Sequence, residues 1–273
     1  MFIEKVNLRN ENLSNGQPPS VTAYILDKGK YPRPAVIVFP GGGYAWCSPS
    51  EGERIAIAYS SAGFNTFVVR YALAPNRHPE PIMDAAHAIR FVRENAEKYD
   101  INPNQIAIIG FSAGGHLAAS ISTLWNDPEL FSQEEIESQA HKPNAAILSY
   151  PVITSGEFIS KASFKRLLGE DASEEQRSKM SLETRVGSHT PPTFLWHTFT
   201  DQTVPVENSL LYAMALSKHN VPCELHVYPN GPHGLSRVSD DTLWAVNCYR
   251  RKLDWLGESI EWMIDLFELK LIK

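Results

Sequence analysis

A short apolar run that breaks into glycines around a single serine is the strongest constraint on how this chain folds. Ala107-Ile108-Ile109 leads into Gly110-Phe111-Ser112-Ala113-Gly114-Gly115, and an alanine-rich segment follows. The run has the length of a buried strand and the alanines suit a helix, so the predicted order is strand, sharp turn, helix. A serine at so tight a bend sits in a strained backbone conformation, and a Cβ on the flanking glycines would collide with the adjoining strand or helix. Ser112 is thereby lifted above the sheet, at a helix amino end whose free N–H groups favour developing negative charge. That is a nucleophile's position. A glycine turn that only packs a helix closely on a sheet accounts for the glycines as well, but gives the serine no task.

The rest of the chain repeats the alternation of strand and helix. Apolar runs predict strands over 3–8, 21–27, 35–39, 65–71, 106–109, 145–150, 193–198 and 223–228. Helical spacing predicts helices over 51–62, 82–99, 207–219 and 243–273. This order predicts an α/β fold, with a mostly parallel eight-stranded sheet, helices on both faces and the first two strands paired antiparallel. No linker divides it, so a single domain over 1–273 is expected. The intervals 124–143 and 152–192 exceed a plain crossover. They are expected as small lid or rim insertions, with solvated connections as the other option. In the last helix Trp255 and Trp262 share one face, suited to closing the sheet or to a homodimer contact.

Composition removes several function classes. A net charge of −6 with scattered basic residues offers nothing to a nucleic acid or an anionic membrane. No apolar run approaches membrane-spanning length and the first residues do not resemble a signal peptide. Cys47, Cys223 and Cys248 lie far apart and form no Cys-x-x-Cys pair, which fits a reducing cytoplasm. The expected partner is a small-molecule ligand.

A serine hydroxyl needs a base, and histidine suits that near neutral pH. His233 has the best address of nine histidines, in the loop Pro229-Asn230-Gly231-Pro232-His233-Gly234 that follows the last strand. The imidazolium formed in reaction needs a carboxylate, and Asp201 lies just beyond the strand over 193–198. An aspartate there also caps helices well, although Glu207 stands nearer the next helix. Asp84 and His87 fall on the helix over 82–99, where packing is the simpler role. Pro40-Gly41-Gly42-Gly43-Tyr44, after the strand over 35–39, turns bare N–H groups into a cleft and suits an oxyanion hole, a flexible surface turn being the alternative.

Ser112, Asp201 and His233 occur in the order used by α/β hydrolases. Over roughly 36–234 the chain resembles α/β-hydrolase esterases related to acetyl xylan esterases and other carbohydrate esterases, and more distantly hormone-sensitive-lipase-like esterases. The resemblance is carried by Pro40-Gly41-Gly42-Gly43-Tyr44, Gly110-Phe111-Ser112-Ala113-Gly114-Gly115-His116, His197-Thr198-Phe199-Thr200-Asp201 and Gly231-Pro232-His233-Gly234. It implies a catalytic triad of Ser112, Asp201 and His233, and an oxyanion hole from Gly42, Gly43 and the N–H of Ala113. The lipase-like relatives have histidine where this chain has Pro40. Because the donors are backbone groups, that change bears on loop support more than on chemistry.

The resemblance implies acyl transfer from an ester to water, without metal or organic cofactor, and acetyl esters of sugars as substrates. Tyr44 and Trp46 are the expected substrate contacts, suited to stacking on a sugar ring or to forming an apolar wall. An arylformamidase or a general short-chain carboxylesterase would share the triad. A peptidase of the prolyl-oligopeptidase type would bring a preceding propeller, which this chain does not contain. The non-enzymatic alternative is a ligand-binding protein on a hydrolase fold, expected to have lost one of the three residues.

Overall fold

Eight strands form one sheet in a computed structural model that describes residues 1–9, 18–237 and 253–269. They are β1 (Phe2–Asn7), β2 (Ser20–Ile25), β3 (Arg33–Phe39), β4 (Asn65–Arg70), β5 (Ile101–Phe111), β6 (Ala145–Ser149), β7 (Thr193–Thr198) and β8 (Cys223–Tyr228). Their spatial order is β1-β2-β4-β3-β5-β6-β7-β8. The pairs β1/β2 and β2/β4 are antiparallel, and every other neighbour pair is parallel. The predicted sheet is therefore the observed one.

Strands β3, β5 and β6 read as unbroken apolar runs because both of their faces are covered. Ile37 and Ile108 pack on one side, among residues of α2 (Glu80–Glu94), α3 (Ala113–Leu124) and α7 (Glu207–Lys218). Val36, Val38, Ala107, Ile109 and Ile147 pack on the other, against α1 (Glu53–Ser61) and α8 (Trp255–Leu266). A period of two thus sends neighbouring residues into separate cores. β5 is longer than its apolar run, beginning at Ile101. Ile101 is buried, but residues 102–105 are intermediate or exposed and the register with β3 shifts between Arg33 and Ala35, so this start carries no buried-strand pattern.

Helix α2 buries Ile82, Ala85, Ala86, Ile89 and Val92, the stripe its spacing predicts. Asp84 on that helix accepts the N–H of Ala72 at 2.8 Å and lies 3.1 Å from Nε of Arg9. Burial pushes its carboxyl up to about 7 against the pull of Arg9 and that N–H. Its position fits packing rather than a site. In α8 the tryptophans face the sheet, Trp255 stacked on Trp196 at 4.9 Å and Trp262 tilted against Phe194 at 5.8 Å. Part of one prediction, the helix over 243–273, lies outside the described residues, at 243–252 and 270–273.

The two long intervals carry short helices: α4 (Gln133–Ser138) in the first, α5 (Lys161–Leu168) and α6 (Glu174–Lys179) in the second. α4 and α6 have no buried residue, and each is closed by a capping box, Ser132 with Glu135 and Ser173 with Gln176. α5 buries Ser163, Phe164 and Leu167. Among the described residues no helix is long and apolar enough to cross a membrane.

Candidate active site

Because β5, β7 and β8 run parallel, the loops that leave them open on one edge of the sheet. Ser112 follows β5 with φ 54° and ψ −117°, a conformation that side chains seldom adopt. The bend is held by hydrogen bonds from its N–H to Ser149 and from the N–H groups of His116 and Val152 to its carbonyl. A Cβ on Gly110 would overlap the backbone of Gly114, and one on Gly114 would overlap the carbonyl of Phe39. The glycines flanking the serine are thus required by the close approach of α3 to β5 and β3.

His233 joins the two other residues. Its Nδ1 lies 2.6 Å from Oδ2 of Asp201 and its Nε2 lies 2.8 Å from Oγ of Ser112. Asp201 Oδ1 is occupied by the N–H groups of Thr203 at 2.9 Å and Val204 at 3.0 Å, which leaves Oδ2 to accept from the imidazole. With Nδ1 donating to that carboxylate, Nε2 is the acceptor that faces the serine hydroxyl. Asp201 therefore caps its own turn with one oxygen and serves His233 with the other. Burial opposes its charge, but contacts from His197 and His233 outweigh burial and hold the carboxyl well below the usual carboxylate range. The edge of Tyr150 lies against the imidazole at 5.0 Å.

The glycine loop passes beside the serine, with a Cβ on Gly41 falling 3.0 Å from that of Ser112. Gly42 has φ 124° and Gly43 φ 62°. The N–H groups of Gly42, Gly43 and Ala113 make no hydrogen bond among the described residues, so all three are unspent donors, Ala113 next to Ser112 and the two glycines next to Gly41. The N–H of Gly41 is spent, donating to Oε2 of Glu51 at 2.8 Å. Further along, Arg166 of α5 donates to the carbonyl of Gly43 at 3.2 Å.

Tyr44 corrects the expectation of a substrate contact. Its side chain turns inward, is 2% exposed, and donates its hydroxyl to Nδ1 of His116 at 2.9 Å. His116 Nε2 faces the carbonyl of Met180 at 3.0 Å, which makes it the N–H and leaves Nδ1 as the acceptor. Tyr44 is thus an anchor of the glycine loop, not its surface. Trp46 stays at 56% exposure, on the loop that also carries the glycines, and Phe199 is exposed beside Asp201. Of the other histidines, His197 is buried between Ser209 and Val204, and His226 pairs with Glu224.

Among the described residues no cluster of His, Cys, Asp or Glu is arranged to hold a metal ion. A cavity of about 190 Å³ opens among His78, Asp127, Met180 and Arg185, and none of Ser112, Asp201 and His233 lines it. That cavity is therefore separate from the line of Ser112, His233 and Asp201 at the sheet edge.

Residues 22–216 match the model of the BD-FAE family. The chain belongs to the BD-FAE family. That match carries Ser112 and Asp201 but ends before His233, which this BD-FAE chain supplies from the loop after β8. The chain is 38% identical over 239 residues to Endo-1,4-beta-xylanase B of Butyrivibrio fibrisolvens, covering 86% of this chain and 37% of that protein. It is 36% identical over 206 residues to an acetylxylan esterase of Xylanibacter ruminicola, covering 73% of this chain and 40% of that protein. The BD-FAE chain thus spans about two fifths of these curated relatives. Among solved structures, the acetyl ester-xyloside bifunctional hydrolase of Caldicellulosiruptor lactoaceticus superposes with a TM-score of 0.85 at 39% identity, covering 98% of this chain and 97% of that one. The fold is that of the α/β hydrolases.

Two residues beside the site escaped the sequence reading. Glu51 falls in a 3-10 turn before α1, where one carboxylate among polar residues carries no pattern. Tyr150 looks like the end of β6, yet has φ 37°, and its hydroxyl donates to Oε1 of Glu51 at 2.6 Å. Burial pushes the Glu51 carboxyl up, with the hydrogen bonds from Tyr150 and Gly41 opposing that shift.

Proposed function

We propose that this chain is a serine esterase that removes acetyl groups from small acetylated sugars or xylo-oligosaccharides through an acyl-enzyme. The observation that carries the reading is the unbroken line from Ser112 Oγ through His233 to Asp201, at 2.8 and 2.6 Å. Ser112 attacks the ester carbonyl while Nε2 of His233 takes its proton. The oxyanion then meets the unspent N–H groups of Gly42, Gly43 and Ala113. His233 returns the proton to the departing alcohol. Water, activated by the same imidazole, hydrolyses the acyl-serine and releases acetate and free Ser112.

The sugar-acetate substrate is supported by the likeness to the Xylanibacter ruminicola acetylxylan esterase and the Caldicellulosiruptor lactoaceticus hydrolase. The exposed Trp46 offers a ring for the sugar, and α5, whose Arg166 donates to the carbonyl of Gly43, stands at the rim of the cleft in a single domain. Cys47 and Cys223 are free thiols, in keeping with a cytoplasmic location.

The test is acetate release from acetylated xylo-oligosaccharides, run beside longer-acyl esters and an aryl formamide, with Ser112→Ala as control. Efficient deacetylation that the substitution abolishes supports the proposal. Activity confined to formamides or long acyl chains replaces the substrate class, and activity surviving in Ser112→Ala rejects the mechanism.

A further inference from the structure

The oxyanion loop and the base loop come from opposite ends of the chain, yet one buried side chain reaches both. Glu51 is 4% exposed, and each of its oxygens faces a donor: Gly41 N–H on Oε2 at 2.8 Å, the Tyr150 hydroxyl on Oε1 at 2.6 Å. The Tyr150 oxygen in turn accepts the N–H of Ser236 at 3.0 Å, in the loop that carries His233. Ser236 also donates its hydroxyl to the carbonyl of Ser50, next to Glu51, at 2.7 Å. Around this chain of bonds the Tyr150 ring lies against both His233 and Trp196.

We infer that Glu51 is a positioning residue for the reaction, which through Gly41 sets the oxyanion loop and through Tyr150 and Ser236 sets the loop of His233. The inference rests on the serine-esterase reading above. With the N–H of Gly41 spent inward on Glu51, the N–H groups of Gly42 and Gly43 are left as the unspent donors of that loop. The same carboxylate orients the Tyr150 hydroxyl so that its oxygen is free to accept from Ser236. A donor placed on Glu51 breaks that logic. In Glu51→Gln the amide oxygen can serve only one partner, so its NH₂ faces either the Gly41 N–H or the Tyr150 oxygen, which already accepts from Ser236.

Hydrolysis of 4-nitrophenyl acetate by Glu51→Gln, Tyr150→Phe and the double variant tests this, with folding followed by circular dichroism and Tm. Misplacing the hole and the base changes the transition state more than ground-state binding, so each single variant is expected to lower kcat about 10- to 100-fold with KM within about 2-fold. Because both act along one chain of bonds, the double variant should be no slower than Glu51→Gln alone. Unchanged kcat in folded single variants, a rise confined to KM, or multiplicative losses in the double variant would overturn the inference. If Glu51→Gln does not fold, Tyr150→Phe decides on the same kcat and KM criteria. Ser112→Ala in the same assay keeps the two ideas apart. Activity surviving there removes the serine reading itself, whereas activity lost there but intact in Glu51→Gln and Tyr150→Phe removes only the role of Glu51.

Discussion

Asp201 presents Oδ2 to Nδ1 of His233 at 2.6 Å while its Oδ1 is held by the N–H groups of Thr203 and Val204. This division of labour makes the residue intolerant of an amide. In Asp201→Asn the carbonyl oxygen must stay with the two backbone donors, so the NH₂ is turned toward His233. Nδ1 then becomes the acceptor and Nε2 carries the hydrogen, which leaves nothing to take the proton of Ser112. A loss in kcat of about a thousand- to ten-thousand-fold is expected, with KM and Tm little altered. Steady-state kinetics on an acetyl ester checks it, and a loss under 10-fold would count against the triad.

His116 should make the protein sensitive to mild acid. Burial pushes its imidazole down to about 4, against an ordinary value of 6.5, although the carbonyl of Met180 pulls the other way. Between those values the unfolded chain binds a proton that the folded chain refuses. Stability from this group is complete above pH 6.5 and falls as the pH drops toward 4, by roughly 3 kcal/mol in all. Tm measured from pH 7 to pH 4 should decline less steeply in His116→Gln than in the unsubstituted protein. Parallel curves would refute it.

The glycines beside the serine are expected to differ sharply from a glycine at a helix end. Gly114→Ala drives a methyl into the carbonyls of Phe39 and Pro40, where no side chain can yield. A cost of about 3 kcal/mol is expected, the upper end for an overpacked site. Gly63, past the end of α1 at φ 98°, has only the Arg33 guanidinium within reach, at 3.7 Å. Alanine there incurs backbone strain alone, about 1 kcal/mol. Urea unfolding of the two variants measures the difference, and equal midpoints would contradict the close approach of α3 to β3.

Trp46→Ala separates sugar recognition from acyl chemistry. A stacked ring contributes about 0.5–1.5 kcal/mol, so KM for an acetylated xylo-oligosaccharide should rise about 2- to 10-fold. 4-Nitrophenyl acetate, which has no sugar, should show no such rise. An equal change on both substrates would assign Trp46 to the cleft wall.

Much of this arrangement was legible in the sequence, for a physical reason. Buried parallel strands such as β3 and β6 are apolar on both faces, and Ser112 is flanked by glycines because backbone lies within contact distance of them. Those demands act on residue type at fixed spacing, so they leave a trace. The direction of Tyr44 leaves none. Whether a tyrosine after three glycines faces solvent or His116 depends on a φ of 59° and on a helix far along the chain. Glu51 was equally silent, since its partners at Gly41, Tyr150 and, through Tyr150, Ser236 converge only in three dimensions. The polar start of β5 fell outside the predicted strand because its residues 102–105 are intermediate or exposed and pair irregularly with β3.

The capping boxes of α4 and α6 separate what this chain must keep from what it is free to change. Neither helix contributes a buried residue to the cores around the sheet, and each is closed by its own Ser132–Glu135 or Ser173–Gln176 pair. Lengthening a surface segment costs only slowly growing loop entropy, so either can be replaced or extended with little strain on the strands beneath. Either segment is therefore a place where the chain can take an insertion while the strands beneath keep their register.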